Sequence, residues 1–257
     1  RPEMLDITRH ALRRCHLLAC SDTIRSTGAE WLGVPVSSIG LVEDGADDSI
    51  AHQSGEELRD ELRRAAGGRT VIAMMSHIKP FKRLGDFLAA CRRLIDDGEQ
   101  IFVLLMCYGK PKNALRLQSW FDHQFRPHEG QFFFQLDGIQ HLLPAVDIGV
   151  STSMLEGLGL NILEYQMAGS AVVCTDIPAH REMVGDGEDG VLFEPGNVDQ
   201  LVEKLRMLTR DAELRRRLAD AGRRRAGRRR WRDTAERTAR FYEECLGRSA
   251  TDDEKRP

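Results

Sequence analysis

The chain has 257 residues, 41% of them hydrophobic and 30% charged, with a formal net charge of -3 at pH 7. That composition belongs to a globular protein with a sizeable core and excludes a disordered chain. No apolar run reaches the roughly 18 residues of a transmembrane helix, and the mild acidity gives no bulk attraction for nucleic acid.

After an N-terminal helical stretch, the apolar run 16–20 (HLLAC) predicts a short strand, and Ser21 or Asp22 caps a helix through Glu30. Residues 39–42 predict a second strand, closed by the turn Glu43-Asp44-Gly45. The polar stretch 46–68 contains a charged helix over 56–66 and leads into a new domain. A strand over 71–75 follows. Leu84, Phe87, Leu88, Cys91, Leu94 and Ile95 then recur at helical spacing on one face of a helix ending near Gly98. The apolar run 101–107 holds a buried strand. Next come a helix over 112–124, a strand over 131–134, a short helix over 140–143 and a strand over 148–150. A buried helix over 161–168 stops at Gly169, followed by a strand over 171–174, a short helix after Pro178 and a strand over 191–193. Val198, Leu201, Val202, Leu205 and Leu208 mark another amphipathic helix, and the chain stays helical to about 246. The polar tail from 247 is expected to be disordered.

Strands alternate with helices throughout. That predicts an α/β fold: a doubly wound, Rossmann-like parallel sheet, helices on both faces, its ligand at the carboxyl ends of the strands. The six cysteines form no CxxC pair and read as reduced thiols, and no secretory signal is visible, so a cytoplasmic setting is expected. His123, His128 and His141 lack metal-ligand spacing, and no metal is expected. The arginines at 223–225 and 228–230 read as a solvated helix face or an interdomain contact, because a nucleic-acid patch would interleave aromatics and only Trp231 is near.

The stretch from Ser153 to Val173, SMLEGLGLNILEYQMAGSAVV, carries the chemistry. A strand ends in Ser151-Thr152-Ser153. A carboxylate, Glu156, comes next, then Gly157, Leu158, Gly159 and Leu160 at a helix start, then Glu164 eight residues after the first acid. Two glycines let backbone approach a ligand closely. The amides of a helix amino terminus, with the positive end of its dipole, stabilise an anion such as a diphosphate. Two acids beside such a site repel phosphate but accept hydrogen bonds from hydroxyls. A ligand with a central diphosphate and hydroxylated rings on both sides, a nucleotide sugar, meets both demands. On the residues alone, Glu156 as a helix cap and Glu164 in a surface ion pair remain open.

The segment resembles the motif of two glutamates eight apart in the family 4 retaining glycosyltransferases, which have the two-domain GT-B architecture. The resemblance runs from about Cys20 to Tyr242: the Ser-rich strand end, EGLGL, Glu164, MAGSAVV, the Ile177-Pro178 turn, Glu182, Gly190-Val191-Leu192 and the closing helices. It implies that Glu156 contacts the transferred sugar near its reacting carbon. It also implies that Ser153 and the backbone of Gly157, Leu158, Gly159 and Leu160 line the sugar and diphosphate, and that Glu164 binds ribose. In SHIKPFKR, Lys82 falls on the family's diphosphate-binding lysine, whereas His77 stands where an arginine is usual, with Arg83 or Lys79 to compensate. The base would meet backbone near Gln135 and Leu136. Glu156 and Lys82 are thus the implied catalytic residues, and the nucleotide-diphosphate sugar is a substrate, with no separate cofactor.

The resemblance further divides the chain. Residues 1–48 would be a remnant of the acceptor domain, 49–69 a linker, 70–230 the donor-binding domain, 231–246 a closing helix and 247–257 a tail. The chain would then be a fragment or shortened homologue, better at binding donor than at transfer. The expected acceptor is a saccharide, a lipid-linked group or a small molecule, and peripheral membrane association is compatible with the cytoplasmic setting. A non-catalytic nucleotide-binding module is the rival reading. A dinucleotide oxidoreductase is disfavoured, because no GxGxxG follows the strand at 71–75.

Overall fold

A computed structural model describes residues 10–13, 15–46, 56–135 and 139–253. The chain divides into two compact units, one formed by Arg1–Gly45 with Arg229–Pro257, the other by Ala46–Arg228.

The larger unit is a six-stranded sheet in the order β5-β4-β3-β6-β7-β8. Its strands are β3 (Thr70–His77), β4 (Ile101–Tyr108), β5 (Gly130–Phe134), β6 (Ile148–Ser151), β7 (Ala171–Thr175) and β8 (Val191–Phe193). Every pairing is parallel. Helices α2 (Glu56–Ala66), α3 (Leu84–Asp96), α4 (Pro111–Gln124), α5 (Leu160–Ala168), α6 (Pro178–Arg181), α7 (Val198–Arg210) and α8 (Ala212–Ala226) connect or cover the strands. Both faces are buried, which is why the strands read as unbroken apolar runs rather than alternating ones. Ile72, Met74, Val103 and Leu105 pack with Phe87, Leu94 and Leu205 on one face. Val71, Ala73, Phe102 and Leu104 pack with Leu62, Leu142 and Leu163 on the other. This is the doubly wound sheet that strand–helix alternation predicts.

Two boundaries differ from the sequence reading. Residues 56–66 are not connecting chain: Leu62 and Ala66 of α2 belong to the core, so the unit starts well before 70. β3 also runs past Met75 to His77, because its pairing with β4 continues to His77↔Tyr108. The expected limit at 48 falls among residues 47–55, outside the described ones.

The smaller unit pairs β1 (Leu17–Ala19) in parallel with β2 (Ile39–Leu41), with α1 (Asp22–Leu32) between them. Ser21 caps α1 by accepting from the Ile24 amide at 3.1 Å, and Gly33 ends it at φ 65°. Ala19, Ala29, Leu32 and Ile39 form its core. Helix α9 (Trp231–Asp253) belongs here: Thr234 donates to the Glu43 carbonyl at 2.9 Å, and Arg229 and Arg237 pair with the Glu43 carboxylate. It extends past the expected end at 246, so the segment expected as a disordered tail is helical to Asp253. Among the described residues no helix is long and apolar enough to cross a membrane.

Candidate functional site

Chain winding reverses between β3 and β6. From β3 the chain moves outward through β4 and β5, and from β6 it moves the other way through β7 and β8. Such a switch point opens a crevice at the carboxyl ends of the two central strands. The β3–β6 ladder stops at Ala73↔Gly149. Beyond it, side chains of α5 take the freed backbone of Met75. Its N–H donates to the Tyr165 hydroxyl at 2.5 Å, and Asn161 Nδ2 donates to its carbonyl at 3.3 Å. The fully buried Tyr165 ring lies where a Cβ on residue 149 would sit, so Gly149 is what lets α5 approach. These contacts fix the start of α5 over the crevice.

The loops after β3 and β6 are stitched together. The Thr152 hydroxyl lies 2.7 Å from the Lys82 carbonyl and 3.0 Å from that of Arg83, and the Met154 amide donates to Phe81 O at 2.8 Å. A short 3-10 turn, Pro80–Lys82, then aims Lys82 at the second loop, where its ammonium pairs with Glu156. The two side chains are only 16% and 11% exposed, so neither charge can be removed without leaving the other poorly solvated. The pair is formed across 74 residues of sequence.

Helix α5 begins at Gly159, at φ 92°, with no side-chain cap. Glu156 therefore does not act as the cap, and the first-turn amides lack a side-chain partner. The positive φ favours glycine at 159, and a Cβ there would press on the neighbouring side chains, 3.3 Å from His180 Cδ2 and 3.4 Å from Ile162 Cδ1. Leu158 is buried and Leu160 partly exposed. Ser153 faces inward, its carbonyl accepting from the Thr175 hydroxyl at 2.5 Å and its Oγ lying 3.4 Å from Ser151 Oγ.

Glu164 lies one turn into α5. Among the described residues its carboxylate takes part in no ion pair or hydrogen bond, and burial pushes its pKa from 4.5 up to about 7. The Tyr108 hydroxyl, at the end of β4, is raised by burial and then by Glu164. His77 is exposed, its ring 5.6 Å from that of Tyr108. The site thus has two acidic ends: Glu156 with Lys82 by the β3–β6 loops, and Glu164 by Tyr108. The open amino terminus of α5 belongs to the helix that carries Glu164 and follows directly on the loop that carries Glu156. That arrangement can hold an anion with a hydroxylated group on either side.

Other expected residues are turned elsewhere. Arg83, at φ 52°, pairs with Asp86 at 2.8 Å rather than with the Lys82–Glu156 pair. Gln135, at φ 48°, donates to Gly109 O at 3.2 Å, tying the ends of β5 and β4, while Leu136 lies outside the described residues. Thr152, Thr175, His180, Tyr108, Asn161 and Tyr165 emerge only from the fold. Apart from the local Thr175–His180 contact, their contacts join residues far apart in the chain and leave no periodic or spacing signal in sequence. A cavity of about 670 Å³ lined by Arg63, Arg69, Asp147, Arg215, Arg216 and Asp220 opens at the amino ends of the strands, the wrong end for a ligand of this fold. Among the described residues no three His, Cys, Asp or Glu side chains converge as a metal set.

A switch-point crevice with an uncapped helix terminus and flanking acids defines a Rossmann-like ligand-binding module. The family model described as glycosyl transferases group 1 matches residues 56–225, and the chain belongs to that family. It is 35% identical over 95 residues to the putative glycosyltransferase EpsD of Bacillus subtilis, covering 37% of this chain and 25% of that protein. It is 26% identical over 243 residues to a phosphatidyl-myo-inositol mannosyltransferase of Mycolicibacterium smegmatis, covering 90% of this chain and 57% of that protein. The chain thus spans at most a little over half the length of these relatives. Among solved structures it superposes on Anabaena Alr3699/HepE, crystallised with UDP and glucose. The TM-score is 0.81 at 18% identity, over 95% of this chain and 69% of that one. The fold is that of the GT-B glycosyltransferases.

Proposed function

We propose that the Ala46–Arg228 unit is the donor-binding side of a glycosyltransferase of the retaining, family 4 type, using a nucleoside-diphosphate sugar. The observation that carries this is the Lys82–Glu156 pair in the loops that lead to the uncapped amino terminus of α5, with Glu164 one turn further along that helix. In this reading the α5 amides and Lys82 stabilise the diphosphate as charge develops on it during departure. When Lys82 turns to phosphate, Glu156 is released to hydrogen-bond the sugar hydroxyls and to stabilise positive charge near the reacting carbon. Glu164 ionises as it accepts hydrogen bonds from the ribose hydroxyls. Both acids hold and orient, and no covalent intermediate on Glu156 is invoked. UDP in the HepE complex makes uridine diphosphate the first donor nucleotide to test. The acceptor belongs to the saccharide, lipid-linked or small-molecule classes, and the phosphatidyl-inositol relative makes lipid-linked acceptors the first to try. Six free thiols fit a cytoplasmic setting, with peripheral attachment if the acceptor is a lipid.

His77 favours a second reading, a module that binds nucleotide without turnover, because an exposed imidazole replaces the permanent charge of an arginine. A thermal-shift screen across UDP, GDP, ADP and their sugar conjugates, followed by a donor-hydrolysis assay, tests both. Stabilisation with slow hydrolysis supports the enzyme. Stabilisation without hydrolysis, even in a chain joined to a relative's acceptor domain, supports the module. No stabilisation by any of the nucleotides overturns both.

A further inference from the structure

His180 is fully buried, on the short helix α6 after β7. Its Nδ1 lies 2.8 Å from the Thr175 carbonyl, which can only accept, so Nδ1 carries a proton. The Thr175 hydroxyl, 3.0 Å from the same nitrogen, donates onward to the Ser153 carbonyl. The ring is therefore fixed, and in the neutral form the lone pair sits on Nε2. That atom is buried and has no hydrogen-bond partner among the described residues. It faces Gly159: a Cβ there would lie 3.6 Å from Nε2, so the missing side chain leaves the imidazole edge directly against the start of α5. The ionisable groups that face it are Lys82 from the turn after β3 and Glu156 from the loop after β6. On its own side, Asp176 and Arg181 pair with each other.

We propose that His180 is a positioning residue of the donor site that takes up a proton at Nε2 when a diphosphate occupies the amino terminus of α5. The proposal rests on the donor-site reading above. In the empty site Lys82 and Glu156 balance each other, and the buried imidazole stays neutral. Burial holds it below the ordinary histidine range, partly opposed by the Thr175 carbonyl and by Glu156 and reinforced by Lys82. A bound diphosphate adds negative charge on the side Nε2 faces and draws Lys82 away from Glu156, and both changes favour the imidazolium. The proton comes from solvent and goes to Nε2, and no substrate bond is involved. The imidazolium then supports the 157–159 loop from beneath with its charge directed at the anion. A purely structural histidine would keep one protonation state throughout.

The test is 15N-histidine NMR of the whole chain at about pH 7.5, with and without saturating UDP, and with GDP and ADP in its place. The protein has eight histidines. The His180 signal is identified as the Nδ1-protonated neutral ring with contacts to Gly159, and by its loss in H180Q. The expected result is a neutral ring in the free protein that becomes doubly protonated in the diphosphate complex but not with uridine. H180Q, which keeps a donor near the Nε2 position without titrating, should fold and bind uridine normally. From about pH 6 to about pH 8 the preference of the wild type for UDP over uridine should fall by more than about tenfold, against little change in H180Q. A ring that stays neutral with UDP bound, or is charged before it binds, overturns the proposal and leaves the donor site standing. If H180Q does not fold, the wild-type spectra still decide. If none of UDP, GDP and ADP binds, the donor-site reading falls and this proposal with it.

Discussion

Glu164 should cost the free protein stability at the pH where it works. Its carboxyl titrates near 7 in the folded chain against 4.5 ordinarily. Ionising it in the folded chain therefore costs about 3 kcal/mol more than in the unfolded one, at about 1.36 kcal/mol for each tenfold change in acidity. The folded pKa is the higher one, so the folded state binds more protons than the unfolded state between the two values, and stability falls as pH rises through that window. The full cost is present above about pH 7 and absent below about pH 4.5. Glu164→Gln removes the ionisation while keeping size and polarity. It should stabilise the unliganded protein by up to about 3 kcal/mol at about pH 8, and by less than about 1 kcal/mol at about pH 5. Urea denaturation of both proteins at the two pH values measures this. The same substitution should weaken nucleotide binding, since the ligand supplies the donors that the ionised acid lacks. A gain that is equal at both pH values, or no gain at about pH 8, would mean that burial does not raise the Glu164 carboxyl.

Four further outcomes follow from the same geometry. Glu156→Ala should not weaken affinity for a nucleoside diphosphate, since Lys82 is then free for phosphate, and should abolish discrimination between it and its sugar conjugate, whereas Glu164→Ala should weaken both by roughly 10-fold or more, by calorimetry. Lys82→Met should reduce the preference for diphosphate over nucleoside at least about tenfold, and should destabilise the fold by about 3 kcal/mol because the Glu156 charge is left mostly buried and unpaired, read by denaturant melts. Thr152→Val removes the hydroxyl that ties the Lys82 carbonyl to the second loop, and should cost about 1–2 kcal/mol in stability together with diphosphate affinity. Gly149→Ala must displace the Tyr165 ring and its bond to Met75, so its soluble yield and melting temperature should fall far more than those of Gly247→Ala, on α9, where a Cβ meets nothing within 4 Å.

Where packing alone decides an element, the sequence was readable to within a residue or two. The runs at 101–107 and 171–174 and the helical spacing from Leu84 to Ile95 lie in β4, β7 and α3, because both sheet faces need apolar cover. β3 extends two residues past its apolar run, since Ser76 and His77 look like loop residues and are held in the sheet by their partners on β4. The charged appearance of α2 concealed Leu62 and Ala66, two residues that commit it to the core. At the site, the spacing of Glu156 and Glu164 and the glycines between them were visible because helix geometry and ligand approach are local matters. The bond of Thr152 to the Lys82 carbonyl and the orphaned nitrogen of His180 were not. Each depends on loops from different strands meeting at the switch point, and no residue spacing encodes that meeting.

A crystal structure of the chain grown with a nucleoside diphosphate, UDP first, would examine the donor site directly. Phosphate density is expected at the Gly157–Gly159 backbone and the first turn of α5, with Lys82 swung from Glu156 onto it and ribose against Glu164. Density at the arginine-lined cavity at the other end of the sheet, with the Lys82–Glu156 pair undisturbed, would contradict the donor-site reading.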